Sequence, residues 1–298
     1  MSIVEQLRDP IPAGTALGER SFSITEEQMS RYIEGIAANN AWYTQDSPYG
    51  GPVCPAAILF YEPMRFPASQ AYGRDRPVFN ARAEWEFCAP TRPGQQLTLR
   101  SKVSDRWVKR GREYATFEME ALDESGKVVC IGRFTNTWDS PPAYDPPLPS
   151  RDNEPRVPPI EANGAELGSL TRTITFDMSV ALAGPARNFH TDREMARARG
   201  FSDVVIAGPQ FVCQMAELMT QIFGRGFYEG GKLRVNFLRP VLAGETITAR
   251  AVENRRTRDG DGVERMEVAI WCENEAGQQT AAGVASARLT DGAPYNAS

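Results

Sequence analysis

Of the 298 residues in this chain only one is histidine, His190, in the polar loop Gly184–Glu194. Imidazole has the unperturbed pKa closest to neutrality, which makes it the usual proton carrier in enzymes. Any histidine-dependent chemistry therefore happens here or nowhere, so histidine-rich metal sites and paired-histidine relays are excluded. Its sequence neighbours suggest accessory roles. Asn188 could orient water or substrate, Arg187 and Asp192 could bind substrate, Arg187 by meeting a phosphate, and Asp192 could instead act as an acid or start a helix. Eighteen residues beyond His190, Gly208 opens a long apolar segment. Free N–H groups and the positive dipole end point outward at a helix start, and glycine lets a carbonyl approach the backbone closely. Each residue also has a simpler structural role: a loop hydrogen bond for His190, a turn for Asn188 or Gly208, a solvated charge for Arg187, a helix start for Asp192.

The elements that must position these groups follow from local pattern. Thr191–Glu194 read as a capping box opening a short helix, Arg193–Arg199, which Gly200 ends. A second helix covers Phe211–Phe223, with Pro209 in its first turn and Gly224 at its C-terminus. It is apolar over most of its circumference, so it should be buried.

The strands repeat. Phe87 to Leu99 and Phe237 to Ala249 share a plan in which a strand ends at proline (Pro90, Pro240), turns at glycine (Gly94, Gly244) and restarts. Charged hairpin tips follow at Lys109–Arg112 and Arg258–Gly262, then alternating strands Tyr114–Leu122 and Glu264–Glu273, then turns at Gly126 and Gly277. The tip Asp259–Gly262 lacks the later spaced ligands of a calcium loop. A proline-rich connector at 139–160 separates the two copies, giving an N-terminal half at 1–138 and a C-terminal half at 161–298. The expected class is α+β: two tandem antiparallel sheets, each wrapping a central helix, the second helix the longer. In the first half the helical run Ala56–Glu62 stops at Pro63, so that helix has eroded. Asn39–Thr44, in the place of the His190 loop, has no histidine, so that half should be catalytically silent.

Composition narrows the partners. A net charge of −5 leaves no basic footprint for nucleic acid. Cys54, Cys88, Cys130, Cys213 and Cys272 are scattered and form no CxxC pair, which argues against zinc or a disulfide framework and for a reducing cytoplasm. No apolar run approaches the ~20 residues of a membrane span, and the first ten residues hold no apolar signal core. No P-loop, G-x-G-x-x-G or G-x-S-x-G motif is present.

From Phe176 to Met219 the chain resembles the MaoC-like, or hydratase-2, dehydratases. His190, Asp192, Ala196, Gly200, Phe201 and Ile206–Gly208 fall at matching places of that family's motif. The resemblance implies a double hot-dog fold and the hydration of 2-enoyl thioesters or dehydration of 3-hydroxyacyl thioesters. It further implies His190 as proton-transfer residue, the Gly208 N–H as oxyanion donor, and no metal or cofactor. CoA or acyl carrier protein would carry the acyl group, and a homodimer or larger homo-oligomer is expected. Three positions depart from the motif: Pro185 stands where the catalytic aspartate is usual, Arg187 where asparagine is, and Asn188 where proline is common. The eroded first helix would leave room for a bulky acyl group. Two other readings stay open: a thioesterase using Glu217 or Glu62, and a non-catalytic acyl-binding subunit that depends on a partner.

Overall fold

The computed structural model describes residues 11–66, 78–139, 146–155, 160–161 and 163–290. The readings of the first ten residues, of most of the stretch ending at Arg76 and of much of the proline-rich connector lie outside these.

Each half builds a five-stranded antiparallel sheet. The first contains β1 (Ala16–Ser23), β2 (Val78–Phe87), β3 (Gln96–Lys109), β4 (Arg112–Leu122) and β5 (Val128–Asp139), with helix α1 (Glu26–Ile36) after β1. The second contains β6 (Glu166–Thr173), helices α2 (Phe176–Ala183), α3 (Arg193–Arg197), α4 (Gly208–Phe223) and α5 (Arg225–Tyr228), then β7 (Lys232–Phe237), β8 (Thr246–Arg258), β9 (Glu264–Asn274) and β10 (Gln279–Arg288). The strand orders are the same, 1-3-4-5-2 and 6-8-9-10-7, and β2 pairs with β7. The halves therefore share one continuous ten-stranded sheet, with Arg82 opposite Asn236 and Trp85 opposite Leu233 at the seam. Joining the two inner edges removes the unpaired backbone that each half would otherwise expose.

The strands alternate because one face is buried. Ala83, Trp85 and Phe87 of β2 lie inward, while Glu84 and Glu86 face out and pair with Arg234, Lys232 and Arg133. Against the inward face lies α4, in which every residue except Gly208 and Gln221 is buried. Each fully buried phenylalanine or leucine there contributes roughly 1.5–3 kcal/mol. The corresponding segment of the first half is a series of turns ending in a 3₁₀ turn, Glu62–Met64, with Pro63 in it. Proline has no N–H to donate and stops the helix there. Helix α1 packs across α2, and their close approach is set by Gly35, where a Cβ would lie 2.8 Å from Leu182 Cβ.

Candidate active site

Three segments hold His190. Its backbone N–H donates to Asn188 Oδ1 (2.7 Å), closing an Asx turn, and its carbonyl accepts from Ser179 Oγ on α2 (2.8 Å). Its ring is held by a hydrogen bond between Nδ1 and the Val205 carbonyl (2.6 Å). That carbonyl is itself pinned: Ile206 N–H donates to Val241 O (2.8 Å), Ala243 N–H donates to Val204 O (3.0 Å), and Val205 bridges Leu242. Because a carbonyl only accepts, Nδ1 must carry the proton, leaving Nε2 as the basic nitrogen. Burial pushes the imidazole pKa down to about 4; the Val205 bond opposes this and Arg199 adds to it. The ring is thus neutral at pH 7, in the tautomer whose free nitrogen can accept a proton.

His190 lines a cavity of about 630 Å³ that both halves build. The C-terminal half supplies Ile206, Gly208, Phe211 and Phe237, and the N-terminal half supplies Asn80 and Arg82 among others. Gly208 is the first residue of α4, and no side chain caps that end. Pro209 has no N–H, and the Gln210 N–H turns back to Ala207 O (2.9 Å), while the Gly208 N–H has no acceptor among the described residues. The cavity's described lining is rich in arginine and lysine, in a chain that is acidic overall. Among the described residues Arg82, Lys109, Arg110, Arg112 and Arg239 line it together with one carboxylate, Glu154, which pairs with Lys109 (3.2 Å).

His190 and Gly208 are therefore brought to one cavity, and the other three expected site residues are not among its lining. Asn188 spends its side chain locally, accepting from His190 N–H and donating to Ala186 O (2.9 Å). Arg187 is exposed and pairs with Asp192 and with Glu194 (3.0 Å). Asp192 is the N-cap of α3, its Oδ1 accepting from Met195 N–H (2.9 Å); the capping-box reading had given this role to Thr191. The Arg187 guanidinium, with help from the Met195 N–H, holds the Asp192 carboxyl below its usual range. The Thr191 hydroxyl instead closes the loop, donating to Ala186 O (3.0 Å). These residues shape the His190 loop from outside.

The two thioesterase carboxylates lie elsewhere. Glu217 is buried beneath Tyr43, whose hydroxyl it accepts, and burial raises its pKa. Glu62 is held by Arg20 and by Arg65 (2.8 Å). Neither lines the His190 cavity.

The first half carries a closed version of the same place. Val53 N–H donates to Trp42 O and Cys54 N–H to Thr91 O, as Val205 does to Phe189 and Ile206 to Val241. Trp42 and Tyr43 thus stand where Phe189 and His190 stand. Tyr228 fills the space, its hydroxyl donating to the Cys54 carbonyl (2.8 Å), and only about 10 Å³ remains between Ala56, Leu59, Phe87 and Thr91.

Two groups escaped the sequence reading: the Val205 carbonyl and Asn80. Backbone roles leave no trace in residue type. For Asn80 a trace exists. The apolar phase of β2 runs through odd positions Ala83, Trp85 and Phe87 yet begins at even Val78, so one residue between them is out of step.

No family model matches the sequence, and no curated protein is significantly similar to it. Solved structures are. A MaoC-like dehydratase shares 16% identity at a TM-score of 0.70, over 93% of this chain and 98% of that one. A MaoC-like dehydratase from Phytophthora capsici shares 16% identity at a TM-score of 0.69, over 97% and 99%. A Mycobacterium tuberculosis protein described as having a double hot-dog fold shares 14% at 0.60, over 94% and 98%. At such identities the likeness is one of shape, and as a shape it is complete: the chain has the double hot-dog fold found in MaoC-like dehydratases.

Proposed function

We propose that the chain hydrates 2-enoyl thioesters, or dehydrates 3-hydroxyacyl thioesters, with His190 as the proton-transfer group. One observation carries this reading: a neutral imidazole with Nδ1 tied to a carbonyl lines the same cavity as an uncapped helix start. In the hydration direction Nε2 takes a proton from water while the water oxygen bonds to Cβ. Electron density moves to the thioester oxygen, where the Gly208 N–H and the α4 dipole stabilise it. The imidazolium then returns its proton to Cα, and the hydroxyacyl thioester leaves with no net change in the protein. A positioned base is worth about 10²–10⁴-fold in rate, and one oxyanion donor about 3 kcal/mol.

The excess of arginine and lysine along the cavity favours a substrate with phosphates, which suits a CoA ester. All five cysteines are free, which suits a reducing compartment such as the cytoplasm. The thioesterase reading loses support because Glu217 and Glu62 lie outside the cavity lining.

The test is hydration of a panel of 2-enoyl-CoA esters, short to bulky, by wild type and His190→Ala. Turnover in the wild type that falls at least ~10²-fold in a folded variant is expected. A variant as active as wild type would sink the assignment. A wild type that binds the esters without turning them over would favour the acyl-binding reading.

A further inference from the structure

We infer that Asn80, a residue of the catalytically silent half, holds the reacting water opposite His190. This rests on the hydratase reading above. Along β2, Asn80 pairs with Asn136 and Arg82 with Thr135, so Ala81 is an extra residue with no partner on β5. A bulge of this kind shifts the phase of the pleat by one. Without it Asn80 would share the outward face of Arg82 and Glu84. With it, the side chain turns inward, onto the face carrying Ala83, Trp85 and Phe87.

Its inward position is secured from two sides. Asn80 Nδ2 donates to Asn136 Oδ1 (2.7 Å) and lies 3.7 Å from Met64 Sδ, inside the first half. Asn136 belongs to the inner row of β5, between Phe134 and Trp138, all buried. Both amide hydrogens are thereby directed into protein. The amide oxygen has no donor among the described residues, and Asn80 lines the cavity shared with His190 and Gly208.

An oriented acceptor of this kind meets a need the His190 loop leaves open. A water attacking Cβ gives one hydrogen to His190 Nε2, and its second hydrogen must point somewhere for a lone pair to face the substrate. In the motif that the chain resembles, a carboxylate would stand at Pro185, and proline offers no acceptor side chain there. Asn80 Oδ1 offers the acceptor from across the seam. It cannot take the proton, so His190 alone transfers it, and Asn80 is a water-positioning residue. The bulge would then be what couples the silent half to the chemistry.

The experiment is steady-state hydration of a 2-enoyl-CoA ester by wild type, His190→Ala, Asn80→Ala and Asn80→Asp, with Tm for each and a pH profile for the active forms. Loss of orientation should lower kcat of Asn80→Ala by about 10²-fold with KM little changed, beside a modest fall in Tm because Asn136 Oδ1 loses its donor. Asn80→Asp, which restores an acceptor, should recover activity with a new limb in the pH profile where its carboxylate ionises. A merely structural role would lower Tm, leave kcat of the folded Asn80→Ala at the wild-type value and give Asn80→Asp no new limb. Should Asn80→Ala not fold, Asn80→Ser, a smaller group that keeps an oxygen, replaces it with the same expectation of lowered kcat. If wild type is active, His190→Ala is not, and Asn80→Ala keeps full kcat, this inference falls and the hydratase reading stands. A wild type inert on every ester overturns both.

Discussion

Replacing Gly208 by alanine separates the backbone role of this residue from its packing. A Cβ built there would lie 3.0 Å from Phe237 Cζ and 3.1 Å from Cε1, closer than ordinary contact. The obstacle is a ring, and that ring borders the cavity, so it can give by a few tenths of an ångström toward open space. The steric cost should be about 1 kcal/mol, the low end for an overpacked contact, because the obstacle can yield. Tm should therefore barely move. Catalysis should suffer far more. The methyl group and the displaced ring both crowd the approach of a carbonyl to the Gly208 N–H. Loss of one oxyanion bond costs about 3 kcal/mol of barrier, or about 10²-fold in kcat. The loss should fall on kcat more than on KM, because the bond strengthens as charge develops. Rates on a 2-enoyl-CoA ester beside a thermal melt decide it. Unchanged kcat with unchanged Tm would refute the oxyanion role; a rise in KM alone would reduce Gly208 to a ground-state contact.

Two further expectations concern protons. Burial holds His190 down to about 4, and the active base is the neutral form, so kcat should stay level from neutral pH downward and be lost only as pH falls through about 4. An inflection near ~6.5, the unperturbed value, would show an imidazole that water reaches freely. Burial raises the pKa of Glu217, so the folded chain retains that proton where an unfolded glutamate has released it. Native stability from this group is thus present below the unfolded value of about 4.3 and declines as pH rises toward the folded one. Glu217→Gln keeps an acceptor for Tyr43 and removes the ionisation, so its Tm advantage should grow with pH and vanish in acid; an advantage independent of pH would contradict this.

Much of the fold was legible along the chain because its causes are local. Alternation in β4 and β9, glycine at the turns, and the apolar run of α4 behind Pro209 each act over a few residues, and their repetition exposed the duplication. His190 and Gly208 stood out as candidates for a related reason: a lone imidazole and a glycine opening a helix are chemically distinctive wherever the chain takes them. Tertiary structure decided the rest. Arg187 found Asp192 and Glu194 in its own loop, and Glu217 found Tyr43 in the other half, so neither reaches the cavity. Tyr228 closed the first half's counterpart of the cavity by filling it from the opposite copy. The extra residue at Ala81 has meaning only against the partner strand, since a bulge is a mismatch between two chains of hydrogen bonds. Which side chains exist, and which local elements they favour, is written in the order of residues. Which of them face one another across the β2–β7 seam depends on long-range register and burial, and those exist only once both halves have folded together.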